Sequence, residues 1–415
     1  MYMKRNIFLH VALTMTVLLG SVSCGGEADP PQKEMQPLKD IALTQQEAEV
    51  QACENTFALK LFREICAVEQ NQNLMISPFS ASLCLSLAAS GADGETFTQM
   101  ASTLGFAGFT AEQIGSYYKA MCEGLYAVDT TTKIAIANAV WPAKSFPLKM
   151  AYADFAKLYY SAEVENLDFA TQNAVNTVNN WAYKNTNGMI PKILDNPEPS
   201  IRLMLANALY FNGKWSGGKM ESQQKDFTNF AGTKAKTKFL GCTRDMKWYA
   251  GKGFTVCSVP YGNGAYRMVI FLPDEGKDLA TLVASLTPEV WNNTMQGLRE
   301  CEVIFSMPVF KSEYSMDRIF QDALKKMGMQ LPFTGAADFS KISDEAVYID
   351  DILQKTAIDV TEKGTEAAAV TAIVYKNTSI SDPEPPKVFT ANRPFAYAIA
   401  EHTYNTILFI GIHGK

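Results

Sequence analysis

The chain has 415 residues, with 37 basic and 43 acidic side chains and a formal net charge of −6. Single cores ordinarily stop growing near ~250–300 residues, so this length would normally mean two or three domains, yet no proline- or glycine-rich linker interrupts the chain after residue 49. An acidic balance without a basic stripe disfavours a nucleic-acid partner, and a histidine inventory of His10, His402 and His413 leaves little for imidazole catalysis or zinc binding.

Lys4 and Arg5 precede an apolar run from Ile7 to Gly20 that is too short to span a membrane stably, and Ser21-Val22-Ser23 supplies small residues for cleavage. Residues 1–23 therefore read as a signal peptide. Cys24 follows directly and resembles the lipid-acceptor cysteine of a bacterial lipoprotein. Ser21 replaces the usual leucine of that pattern, and ordinary cleavage that releases a soluble protein stays open. Losing residues 1–23 removes Lys4 and Arg5 and no acid, leaving 35 basic against 43 acidic residues and a net charge of −8. Residues 24–48, rich in Pro, Glu, Gln and Lys and without an apolar period, read as a flexible tether. The expected location is thus exported: an outer-membrane or cell-surface lipoprotein, or a secreted protein.

Further along, Phe57, Ala58, Leu61, Phe62 and Ile65 form a helical stripe within Asn55 to Cys66. The segment from Ala111 to Val128 contains Lys119 as its one base. Arg202 to Phe211, Tyr266 to Leu272 and Val303 to Phe310 have the length and β-branched or aromatic content of buried strands. Strands and helices alternate irregularly, without strict βαβ order, which predicts an α+β architecture. If Cys24 carries lipid, seven of the eight cysteines remain, an odd number that cannot all pair. Their spacing suggests neither a metal site nor a redox motif. Cys66 and Cys84 lie on apolar helical faces, where a buried free thiol is common. The nucleophile elbow, phosphate loop and zinc-protease motifs are all missing from the sequence, so no cofactor, metal or enzymatic activity is expected.

The run Glu362-Lys363-Gly364-Thr365-Glu366-Ala367-Ala368-Ala369-Val370-Thr371-Ala372 is the most informative stretch. As a strand it would put the small or apolar Thr365, Ala367, Ala369, Thr371 and Ile373 on one side and Glu366 on the other. Proline, which would remove a ladder donor, is absent from the first ten residues after Gly364. The same run is a good helix former, so a surface helix is open on these residues alone. Four further segments bear on the choice: Asn73-Leu74-Met75-Ile76-Ser77-Pro78-Phe79-Ser80 with Gly91 to Thr96; Asn179-Asn180-Trp181 through Ile190; Ala206-Asn207-Ala208 through Trp215; and Phe389 to Ile399 followed by Ile407 to Gly411. With the first run they closely resemble the serpin family in order and spacing, from about residue 49 to the C-terminus. A serpin domain over residues 49–415 is one large α+β unit with a central, mostly antiparallel sheet, further sheets, surrounding helices and an exposed reactive-centre loop, here about residues 362–388.

The resemblance implies a suicide-substrate inhibitor of serine or cysteine proteases, in which the cut loop inserts into the central sheet and traps the acyl-enzyme. Glu362 and Gly364 to Thr371 are then the hinge. Counting fourteen residues from Gly364 puts the reactive bond at Thr378-Ser379, and a small residue there implies an elastase-like target. Cleavage near Tyr375 or Lys376 is the alternative and would shorten the inserted arm. Ser77, Ser80, Asn207, Trp215 and Gln354 would govern opening of the sheet. Two departures stand out. Gln354 replaces a histidine common in animal members, and an amide can also donate and accept. Val309 replaces a lysine that often pairs with the residue equivalent to Glu362, so that ion pair is expected to be missing. Lys119 alone does not make a heparin site. A monomer whose membrane contact is through lipid alone completes this reading. Its rival is a non-inhibitory serpin acting as a binding or carrier protein, a type that tends to carry bulky, charged or proline residues where this hinge has Thr365 and Ala367 to Ala369.

Overall fold

The computed structural model describes residues 36–316, 318–350, 352, 354–365 and 385–415. Its first helix, Gln45–Val68, starts at a capping box in which the Thr44 and Glu47 side chains each accept a bond from the other's backbone N–H. The predicted stripe of Phe57, Ala58, Leu61, Phe62 and Ile65 is buried. Folded structure thus begins before residue 49: Ile41 is buried against Gly124 and its N–H bonds to Thr403. Leu43 also packs on the core and the His402 ring bonds to Lys39 O, so the segment read as tether from composition is held to the fold over its last residues.

Strand Leu74–Ile76 leads into helix Pro78–Ala89, which has Pro78 in its first turn and Ser77 as its cap. This helix is buried almost all round, as expected of one with apolar or small residues on every face. It packs between helix Gln45–Val68, strand Leu203–Lys214 and strand Ile407–His413. Helix Ala111–Ala127 packs on helix Gln45–Val68, and helix Gln172–Asn185 lies on strands Leu203–Lys214 and Lys133–Pro142. In that contact Trp181 meets Trp141 edge to face, with centroids 5.2 Å apart.

Two sheets hold the described strands. The nine-stranded sheet runs Leu74–Ile76, Ile407–His413, Phe395–Glu401, Tyr266–Pro273, Phe254–Tyr261, Lys234–Ala250, Arg299–Pro308, Lys387–Thr390, with Glu221–Thr228 also paired to Lys234–Ala250. The six-stranded sheet runs Phe310–Met316, Gln354–Thr361, Gly364–Thr365, Leu203–Lys214, Lys133–Pro142, Glu163–Val164. Val303 to Phe310, read as one strand, is divided between them. Pro308 ends the ladder with Lys234–Ala250, Val309 donates its N–H to Lys238 O at 2.9 Å, and Phe310 opens a strand of the other sheet. The chain thus changes sheets at Val309, directly after Pro308.

Candidate functional site

Gly364 and Thr365 form a two-residue strand between two longer ones. It is antiparallel to both neighbours, with Thr365 opposite Val360 on one side and Gly213 on the other. Strands Gln354–Thr361 and Leu203–Lys214 must therefore run parallel to each other, and among the described residues Gly364–Thr365 is the one ladder that joins them. A small cleft at this seam is lined by Thr186, Met189, Ile190, Leu209, Phe211 and Ala357, so the turn after helix Gln172–Asn185 covers it.

The upper end of the seam is closely held. Thr365 is 2% exposed, and its hydroxyl lies 2.7 Å from that of Tyr261. Tyr261 stacks on Trp215 with centroids 4.4 Å apart, and the Trp215 indole donates to Thr361 O at 2.9 Å. Met220 N–H bonds to Glu362 O at 2.8 Å. Glu362 is nevertheless paired, from another position: its carboxylate meets Lys238, and this bond holds the carboxyl below its usual range. Valine at 309 does not cost the pair, because Lys238 lies on the adjoining strand and Val309 is bonded to its backbone.

Lower down, Gln354 Oε1 accepts from Ser77 N–H at 3.0 Å and its Nε2 donates to Ser77 O at 2.8 Å. The amide thus donates and accepts toward one backbone. On the facing strand, Asn207 accepts from the Ser80 hydroxyl and donates to Asn138 Oδ1 at 2.8 Å. Ser77 Oγ, accepting from Ser80 N–H at 3.3 Å and donating to Leu408 O at 2.8 Å, links the two sets through the start of the buried helix. Sequence reasoning named Ser77, Ser80, Asn207, Trp215 and Gln354 but missed Asn138, Lys238 and Tyr261, whose partners come from strands distant in the chain.

A family model described as serpin (serine protease inhibitor) matches residues 52–413. The chain belongs to the serpin family. Serpin-Z7 of Hordeum vulgare is 33% identical over 87% of this chain and 94% of its own length. The native-state crystal structure of Tengpin, a thermophilic serpin, superposes with a TM-score of 0.80 at 29% identity, covering 92% of this chain and 97% of that one. A thyroxine-binding globulin in complex with thyroxine shares the serpin fold at 22% identity and a TM-score of 0.77, covering 88% of this chain and 98% of that one. Serpins are mostly protease inhibitors, and some are carriers.

Other expected features fall in or beyond the described part. Cys24 and the loop residues Glu366, Ala367, Ala368, Ala369, Val370, Thr371, Tyr375, Lys376, Thr378 and Ser379 lie outside the described residues. None of the seven described cysteines is in a disulfide. Cys66 and Cys84 are half-buried, and burial pushes the Cys84 thiol up to about 12, where it stays protonated. His413 is buried, stacked on Phe310 at 4.4 Å and pushed down to about 4 by burial, so it is neutral at physiological pH. Among the described residues no group of three or more His, Cys, Asp or Glu could hold a metal, and no helix is long and apolar enough to cross a membrane.

Proposed function

We propose that this serpin is a suicide-substrate inhibitor of serine or cysteine proteases, with an elastase-like enzyme as its preferred target. The protease nucleophile attacks the carbonyl carbon of Thr378. The bond to Ser379 breaks, the new amine leaves with a proton, and residues up to Thr378 stay attached as an acyl-enzyme. The freed arm then adds to the six-stranded sheet from Thr365 onward, carrying the protease with it before water can release the ester.

The observation that supports this most is the two-residue strand Gly364–Thr365, already seated between two parallel strands at one end of their seam. Continuing that register would bring Ala367 opposite Ile358 and Phe211, and Ala369 opposite Thr356 and Leu209. All four of these positions on the flanking strands are buried, so small inserted side chains suit them. Incubation with elastase should yield an SDS-resistant covalent adduct, with fragment masses that place the cut after Thr378. Clean cleavage with elastase left active would favour the carrier reading.

The exported protein is anchored through lipid on Cys24 in this reading. Cys24→Ala should abolish lipid labelling and alter processing, whereas wild type recovered unmodified and wholly in soluble fractions would favour plain secretion.

A further inference from the structure

Tyr261 is fully buried, and its ring is fixed on two sides. Trp215 stacks on one face with an interplanar angle of 13°, and Phe211 meets it edge to face with centroids 5.1 Å apart. A ring held in this way has one place for its hydroxyl, and that place is 2.7 Å from Thr365 Oγ1. Thr365 is itself 2% exposed, lodged between Gly213 and Val360.

We propose that Tyr261 is a positioning residue for loop insertion: its hydroxyl seats Thr365 in register in the intact protein, so that insertion continues from a strand already begun. This rests on the inhibitor reading above. Ordering the first residue of a new strand is entropically unfavourable, and each later residue gains a ladder on both sides. A seated Thr365 puts that first step before cleavage instead of after it, when insertion must outrun hydrolysis of the acyl-enzyme. The recognition is polar and mutual. Either hydroxyl without the other is a buried polar group lacking its partner, which is far less favourable than losing both.

Mutual recognition separates this role from simple packing. Tyr261→Phe and Thr365→Val each strand one buried hydroxyl and should shift the equilibrium between seated and unseated Thr365 about tenfold toward the unseated form, equivalent to about 1.4 kcal/mol. In the intact protein this reads as about tenfold faster hydrogen exchange at the Thr365 amide. With elastase it reads as a shift from covalent adduct toward cleaved serpin and active protease. The double variant Tyr261→Phe/Thr365→Val replaces both hydroxyls with apolar groups of the same shape and should recover both readouts. Single variants that match wild type, or a double variant whose losses add, would overturn the proposal. The two possible failures are distinct. A wild type that forms no adduct rejects the inhibitor reading, whereas an efficient wild type with unaltered single variants rejects the role of Tyr261 alone.

Discussion

Gly364 lies so close to Gly213 on the neighbouring strand that a β-carbon on Gly364 would sit 2.2 Å from the Gly213 carbonyl oxygen. Its φ of +140° is also a conformation that L side chains rarely adopt. Both constraints act at the point where the chain turns back into the sheet after Thr361. Gly364→Ala should therefore unseat Thr365, with a penalty of at least about 2 kcal/mol, read as roughly thirtyfold faster amide exchange at Thr365. Unaltered exchange would mean that the strand at 364–365 tolerates a side chain and that the close approach relaxes.

The Lys238–Glu362 pair fastens the same turn from the side of the nine-stranded sheet. Lys238 is about half exposed, so the pair should contribute only about 0.5–1 kcal/mol. Lys238→Ala should speed exchange of the Met220 amide, which bonds to Glu362 O, about two- to fivefold at low salt, with the difference shrinking in 1 M NaCl. Because the pair lowers the Glu362 pKa, its contribution is present above the ordinary carboxylate value of 4.5 and is lost as pH falls below it. Val309 adjoins Lys238, so Val309→Lys in the Lys238→Ala background should restore slow exchange.

Glu54 is a fully buried carboxyl, bonded by the Ser82 hydroxyl at 2.7 Å and the Tyr118 hydroxyl at 3.1 Å, and burial raises its pKa to about 7. The sign follows from proton counting. Between 4.5 and about 7 the folded protein keeps a proton that the unfolded chain has lost, so stability falls as pH rises through this window and the deficit is complete above it. Glu54→Gln removes the deficit. At pH 8 the variant should be more stable by on the order of 2–3 kcal/mol, or about 3 °C in Tm, and the gain should vanish toward pH 4.5. A gain independent of pH would reject ionisation of Glu54 as the cause.

Local chemistry made much of the fold legible. The stripe at Phe57, Ala58, Leu61, Phe62 and Ile65 is periodic, and its burial follows from that period. Two boundaries were missed: the Thr44–Glu47 capping box starts a helix inside the segment read as tether, and Val303 to Phe310, read as one strand, ends its ladder at Pro308. Long-range partners were not legible. Lys238 reaches Glu362, and Tyr261 reaches Thr365, through sheet pairings between strands far apart in the chain. Neither residue has a local pattern that separates it from an ordinary surface lysine or core tyrosine. Gln354 illustrates the middle case: its donor and acceptor capacity could be read, while its bonding to the Ser77 backbone required the fold.

The strongest test of insertion lies at Thr365 and its neighbour. Thr365→Arg would place a charge where the native side chain is 2% exposed, between Val360 and Gly213 and against Tyr261. Burying an unpaired charge costs several kcal/mol, and a penalty of even ~2.7 kcal/mol on the insertion barrier slows that step about a hundredfold. On the proposed inhibitor reading deacylation should then win: the reactive bond, proposed as Thr378-Ser379, should still be cut, and elastase should depart active. Glu366→Arg is the control. After insertion in the register of Thr365, residue 366 would face Asn212 and Asp359, both half-buried, where arginine would meet a carboxylate that glutamate opposes. That variant should keep its covalent adduct at wild-type stoichiometry or better. If Thr365→Arg also kept it, insertion could not begin at Thr365, and the seated strand would have no part in trapping the protease.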